Sequence, residues 1–353
     1  EMAAGDFELT GDGLSGQPAQ SGFSCTDDIG LILHTSGTTS RPKAVPLSQH
    51  NLVISAGNIC SSLLLTRQDR CINIMPLFHI HGLIAGVLST LAAGASIYCT
   101  PGFNALKFFS WLRDSSPTWY TAVPTMHQAI LARASHNRGI LTATKLRLVR
   151  SSSSPLPPQI MTKLEATFEC PVLEAYGMTE ATGGITMTPP DDYRKDSVGR
   201  ALPGIELKLK EDGELYIRGP YVCSQYHKEE NSEVFKNNWF YTEDIFKESN
   251  GHYYIVDRKK DIYKNSRGQT IAPQKIENLF QDFSLVKSVF LVGDGLEFNT
   301  VLLYPNYDNL KIDIQNIHEN EIRDIFSSMI LSVNSFLSSY ERIINYVIIQ
   351  RDF

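Results

Sequence analysis

The chain lacks a paired-cysteine framework. Its six cysteines, at 25, 60, 71, 99, 170 and 223, are scattered with no CxxC spacing. That leaves zinc-ribbon and disulfide scaffolds unsupported and points to a reducing compartment. No apolar run reaches the roughly 20 residues of a membrane span, and no charged-then-apolar leader opens the chain. A cytoplasmic location is the expectation that remains. Positive charge is not in excess either: 32 Lys and Arg face 38 Asp and Glu, a net charge of −6. Nucleic acid and anionic membrane surfaces are therefore poor main partners, and any phosphate site must be local. The segment around Lys43 has no second glycine beside the lysine, because Arg41 and Pro42 stand there. This excludes the GxxxxGK[ST] loop of common NTPases. No internal repeat is visible.

What remains is an ordinary globular composition, 42% hydrophobic and 20% charged, over 353 residues, enough for two or three domains. Residues 1–26, rich in Gly, Ser, Asp and Gln, read as a loose lead-in. From 29 to 176 apolar strand-like runs (30–34, 71–75, 95–99, 118–122, 146–150, 171–175) alternate with segments of helical period (51–65, 83–92, 124–134). That alternation predicts an α/β core with a parallel sheet. Past Pro189, short strands at 205–209, 214–218 and 253–256 predict a small antiparallel subdomain. Beyond the charged run 257–261, helices at 275–281 and 321–338 and strands at 286–292 and 300–304 predict a small α+β domain.

The most informative segment is LHTSGTTSRPKAVPL, 33–47. Thr35, Ser36, Thr38 and Thr39 surround Gly37 after a strand-like run, Lys43 follows, and Ser48 opens a helix. Such a loop offers hydroxyls and backbone N–H groups to phosphate oxygens, and the lysine adds a point charge. A polyphosphate, most simply ATP, is the implied ligand. The bland alternative is a solvated turn.

The order TSGTT-x-x-PK resembles the phosphate motif of the adenylate-forming (AMP-binding) superfamily. PLFHIHG at 76–82, EAYGMTEA at 174–181, GELYIRGP at 213–220, WFYTEDI at 239–245 and DRKKDIYKNSRGQTIAPQKIE at 257–277 resemble further family motifs in the family's order. Residues 30–180 resemble oxalate–CoA ligases, and the chain from 257 onward resembles long-chain acyl-CoA synthetases. The resemblance implies an acyl-CoA synthetase-like ligase. ATP activates a carboxylic acid as acyl-AMP, and a thiol, coenzyme A or the phosphopantetheine of an acyl carrier protein, then displaces AMP. The alternatives are an acyl-AMP ligase loading a carrier protein and a nucleotide-binding module without turnover. The implied domains are an AMP-binding core at 27–256 lacking most of the usual N-terminal subdomain, a hinge at 257–262, and a C-terminal lid at 263–353. The lid is expected to be truncated, since the family's terminal lysine segment has no counterpart before Phe353.

The same resemblance assigns roles. Thr35, Ser36, Gly37, Thr38, Thr39 and Lys43 hold the β- and γ-phosphates. Thr179 touches the α-phosphate, Glu180 supplies a carboxylate to Mg²⁺, and Glu174, Ala175 and Tyr176 line the adenine. Asp244 bonds the ribose hydroxyls and Arg258 reaches ribose or phosphates. The usual TGD is TED here, which puts Glu243 beside Asp244. His79 borders the acyl and phosphate pocket. His81, Ser153 of the SSSSPLPP loop at 151–158, and Gly177 belong to the acyl side, where His81 and the serines favour a short or polar acid. HxH spacing on a strand would place both rings on one face, but no third zinc ligand lies nearby. SSSSPLPP also reads as a helix N-cap followed by proline. Lys260 matches the hinge. Arg267 replaces the first glycine of a pair lining the thiol tunnel, and Gly268 keeps the second.

Overall fold

The computed structural model describes residues 23–35, 42–194, 196–228, 233–283, 285–307 and 319–351. The core is a seven-stranded sheet in the order Ser96–Cys99, Arg70–Asn73, Trp119–Ala122, Leu148–Ser152, Val172–Tyr176, Thr186–Met187, Arg200–Ala201. The first five strands run parallel and the last two antiparallel. Strand alternation divides the apolar side chains cleanly. Cys71, Trp119, Leu148 and Leu173 enter one hydrophobic cluster; Ile72, Tyr120, Val149 and Val172 enter another on the opposite face. Helices cover both faces, as a sheet apolar on both sides requires.

The helix Gln49–Ser62 begins where Ser48 was expected to start it, with a reciprocal cap. Asn51 N donates to Ser48 Oγ at 3.1 Å and Ser48 N donates to Asn51 Oδ1 at 2.9 Å. Its buried residues Leu52, Ser55, Ala56 and Ile59 fall at the spacing of one helical face. Removing the Ser48 cap should cost about 1 kcal/mol.

Two expectations are corrected. The run 30–34 is not a strand of the parallel sheet. Ile29–Thr35 pairs antiparallel with Lys43–Ser48 in a separate two-stranded sheet. The strand Lys43–Ser48 hid behind Pro46, which reads as a breaker although an edge strand tolerates it. The segment 83–92 is also not one α-helix: His81–Leu88 is a π-helix running into the short α-helix Ser89–Ala92. Single π turns are frequent at functional sites.

A five-stranded antiparallel sheet follows, formed by Glu206–Leu209, Glu214–Arg218, Trp239–Ser249, Phe235–Lys236 and His252–Arg258. The last part holds a three-stranded sheet of Val286–Val292, Asn299–Pro305 and Ile343–Ile348. The helix Glu319–Asn334 packs on it through Phe326, Met329, Ile330 and Val333. Among the described residues no helix is long and apolar enough to cross a membrane.

Candidate active site

Parallel sheets gather ligand sites at the carboxyl ends of their strands, and here those ends carry Asn73, Thr121, Arg150, Ser151, Ser152 and Tyr176. Beside this edge stands the hairpin that carries the candidate phosphate loop. Thr35 and Lys43 are the last cross-strand partners before the chain turns between the two strands. Ser36, Gly37, Thr38 and Thr39, between them, lie outside the described residues. Lys43 Nζ sits 4.6 Å from the centroid of the Tyr226 ring. The Tyr226 hydroxyl donates to Glu180 Oε1 at 2.8 Å. Backbone bonds pin this loop on both sides: Cys223 N donates to Glu180 O at 2.7 Å and His227 N to Ala44 O at 2.8 Å. Lys43 and Glu180, distant in sequence, are thus joined through one tyrosine.

Glu180 lies in the short 3₁₀ turn Thr179–Ala181 and is 8% exposed, with Thr179 half-buried beside it. Its Oε2 accepts no hydrogen bond among the described residues. A mostly buried carboxylate with one unsatisfied oxygen fits a hard cation. Among the described residues no group of three or more His, Cys, Asp or Glu could hold a metal ion. A cation at Glu180 would therefore take its remaining ligands from phosphate oxygens and water. Gly177 is dictated by close approach, since a Cβ there would stand 2.4 Å from Gly183 O.

Tyr176 ends its strand by donating from Oη to Asp244 Oδ2 at 2.5 Å. Arg258, directly across the ladder from Asp244, brings Nε to 3.6 Å of Oδ1. Burial pushes the Asp244 carboxyl upward, and the Tyr176 bond and the Arg258 charge oppose that shift. Glu243 adopts φ +59° and is exposed. That is the left-handed region favouring glycine, so the glutamate in TED carries backbone strain that the glycine of TGD would not. The Glu174 side chain bonds the loop that follows the strand Leu148–Ser152. It is buried, accepts a bond from Leu156 N at 3.1 Å, and burial lifts its carboxyl to about 7. Ala175 is buried and its carbonyl accepts from Ser152 Oγ at 2.8 Å.

The two histidines part company. They are not on a strand: His79 is exposed in a turn against Phe78, whereas His81 opens the π-helix at 4% exposure. His81 Nδ1 lies 3.0 Å from Ser153 Oγ, and Nε2 lies 2.5 Å from Thr121 Oγ1 and 3.1 Å from Arg150 Nη1. Burial, then the Arg150 charge, holds the ring well below its ordinary value and hence neutral. Ser153 is exposed at φ +74°. The serines do not cap the next helix: Pro158–Phe168 follows Pro157 with no side-chain cap.

Past the edge, Lys259 pairs with Asp212 at 2.9 Å and Glu214 at 2.7 Å, tying the segment after His252–Arg258 to the antiparallel sheet. Lys260 lies next to it in a turn and lines a cavity of about 480 Å³ with Asp257 and Glu277. Arg267 pairs with Glu297 at the surface, and Gly268 has φ +74°.

Sequence reasoning missed Tyr226, Arg150, Thr121 and Lys259. Arg150 left a signal, a charge inside an apolar strand run. Tyr226 left none, because an irregular loop brings it in.

A mostly parallel sheet with charged and hydroxyl side chains collected at its carboxyl edge, an antiparallel subdomain and a small C-terminal α+β unit define an α/β architecture with a candidate nucleotide site. Residues 6–227 match the AMP-binding enzyme family and residues 260–352 the AMP-binding enzyme C-terminal domain, so the chain belongs to the AMP-binding enzyme family. It is 42% identical over 270 residues to an oxalate–CoA ligase of Arabidopsis thaliana, covering 71% of this chain and 52% of that protein. It is 29% identical over 341 residues to a peroxisomal long-chain acyl-CoA synthetase of the same plant, covering 78% and 47%. Among solved structures, ATP-bound MatB from Rhodopseudomonas palustris superposes at a TM-score of 0.77 with 25% identity, over 93% of this chain and 65% of that one. The chain spans about half the length of the curated relatives it matches.

Proposed function

We propose that this chain activates a carboxylic acid with ATP, forming acyl-AMP and pyrophosphate, and passes the acyl group to the thiol of coenzyme A. The observation that carries this is the Lys43–Tyr226–Glu180 chain, which stands a candidate phosphate cation beside a candidate metal carboxylate. Two anions must meet in the first step, so the site needs positive charge near the phosphates. In this reading Thr35, Ser36, Gly37, Thr38, Thr39 and Lys43 hold the terminal phosphates, Thr179 the α-phosphate, and Tyr176, Asp244 and Arg258 the nucleoside. Glu180 supplies Mg²⁺ with one oxygen while Tyr226 holds the other in place. When bound, Mg²⁺ neutralises phosphate charge and polarises the α-phosphate. His79 and His81, with Ser153 and Gly177, face the acyl group.

Residues 257–262 act as the hinge between the core and the C-terminal domain. Coenzyme A is favoured as acceptor because the curated relatives carry the name CoA ligase. Transfer to a carrier protein's phosphopantetheine, with coenzyme A inert, would replace it. The free state of all six cysteines supports the reducing, cytoplasmic setting. ATP with Mg²⁺ at 100 times its dissociation constant should stabilise the chain by about 2.7 kcal/mol. Lys43→Ala and Thr179→Ala should remove most of the thermal shift. Equal shifts in all three proteins would refute this site.

A further inference from the structure

The net charge of −6 hides a segment of the opposite sign. Between residues 64 and 147, eight Lys and Arg stand against two acids, Asp69 and Asp114. The connections of the sheet say where this charge lies. In parallel α/β units the last turn of each helix and the residues entering the next strand share the amino edge, opposite the carboxyl edge that carries the candidate active site. Arg67 and Arg70 enter the strand Arg70–Asn73, and Lys145 and Arg147 enter Leu148–Ser152. Arg113 lies in the last turn of the helix Phe108–Ser115, which leads into Trp119–Ala122. All five are exposed.

Their contacts join them into one face. Arg147 Nε donates to Asp69 Oδ1 at 3.1 Å and its Nη1 to Leu63 O at 3.1 Å. Arg70 donates from Nε to Ser96 Oγ and from Nη1 to Ser115 O, each at 3.0 Å. Arg67 lies against Gly94, where a Cβ would stand 3.3 Å from its Cγ, and Gly94 N donates to Leu91 O at 2.9 Å. Arg113 and Lys145 line one cavity of about 370 Å³. The two acids offset little of this charge toward solvent, since Asp69 is 4% exposed and Asp114 pairs with Arg113 at 2.8 Å. The carbonyls of a helix end account for Arg113, but Arg67, Arg70 and Lys145 lie outside helices.

Two apolar side chains protrude among these cations, Leu64 at 58% exposure and Leu91 at 53%. Leu64 is held at φ +52° just past the helix Gln49–Ser62, a conformation uncommon for a bulky residue. Cations interleaved with protruding leucines suit a partner with negative charge at its surface and an apolar layer just beneath. A soluble phosphate would leave both leucines in water, and an acidic protein would need a pocket for each. A bilayer accepts them anywhere along its surface.

We infer that the amino edge of the parallel sheet docks on a bilayer bearing anionic lipid, with Arg67, Arg70, Arg113, Lys145 and Arg147 against the headgroups and Leu64 and Leu91 inserted between them. Strands of four or five residues separate the two edges by roughly 15 Å, so a chain seated this way keeps its carboxyl edge toward solvent. Nothing in this docking depends on the ligase reading.

The test is co-sedimentation of the full chain with vesicles of phosphatidylcholine alone or mixed equally with phosphatidylserine. Binding to the mixed vesicles only, lost in rising NaCl, is expected. Arg67→Gln with Lys145→Gln should weaken it about 30-fold, roughly five-fold for each cation near the surface. The same exchange at Lys208 and Lys247, exposed on the antiparallel sheet, alters net charge equally and should leave binding within about two-fold. Leu64→Asn with Leu91→Ser should weaken binding about 10-fold and leave its salt dependence unchanged. Should the leucine pair fail to fold, the two cation pairs still decide. No binding to the mixed vesicles, or equal losses in the two cation pairs, overturns the inference. Binding to polyglutamate as tight as to the vesicles, with the leucine pair weakening neither, assigns the face to an acidic protein and overturns it as well.

Discussion

Around Asp244 and Glu180 at the sheet edge, charges come balanced; around Arg150 they do not. Asp244 has Tyr176 on one oxygen and Arg258 near the other, and Lys43 lies over the ring whose hydroxyl holds Glu180. Among the described residues Arg150 is buried without a carboxylate partner, and on the opposite face Glu174 is buried without a cation. The difference is one of readiness. Paired groups keep a site assembled in the absence of ligand, whereas an unpaired buried charge leaves free energy that a ligand of opposite sign recovers.

The largest effect should come from Glu174, buried on the sheet face opposite Arg150. Burial raises the Glu174 carboxyl from 4.5 to about 7. Between those values the folded chain keeps a proton that the unfolded chain has released, so stability falls as pH rises through that window. Glu174→Gln keeps the acceptor for Leu156 N and removes the ionisation. It should add about 3 kcal/mol at pH 8 and nothing near pH 4.5. Urea unfolding at the two pH values measures this. An equal gain at both would mean that Glu174 is not held neutral by the fold.

On the balanced side, Glu180→Gln preserves shape and removes the charge proposed to draw Mg²⁺. Pyrophosphate exchange should fall by about 100-fold or more, roughly 2.7 kcal/mol. Undiminished exchange would place the metal ligand elsewhere. Tyr226→Phe leaves the ring under Lys43 and removes the hydroxyl that bonds Glu180. About 10-fold loss of exchange is expected, the order of one hydrogen bond to a charged group. A Mg²⁺ titration should locate the loss in metal affinity. The smallest effect belongs to Glu243, whose φ of +59° strains a non-glycine residue beside Asp244. Glu243→Gly should raise stability by up to about 1 kcal/mol and tighten ATP binding modestly. A destabilised variant would mean that the glutamate side chain makes a compensating contact.

The balanced side was largely legible in the sequence because its residues sit in ordered local motifs: YGMTE gives Tyr176 and Glu180, TED gives Asp244, and DRKK gives Arg258. The parallel core was legible too, since fully apolar strands alternating with helices admit few other arrangements. What stayed hidden was long-range. Tyr226 reaches Glu180 across 46 residues from a loop without periodicity. Arg150, His81 and Thr121 converge from two strands and a π-helix, and no local spacing encodes that meeting. The hairpin was misplaced for a different reason. Its first strand has the same apolar run as its parallel neighbours, and only pairing, which sequence pattern does not carry, sets it apart.

The most direct test of acid activation at this edge is exchange of labelled pyrophosphate into ATP, measured with Mg²⁺ and each acid of a panel in turn. Exchange that depends on acid and metal together, and that is largest with a short or polar acid, is the predicted result. Exchange that is absent with every acid, or that proceeds equally without one, would contradict the account.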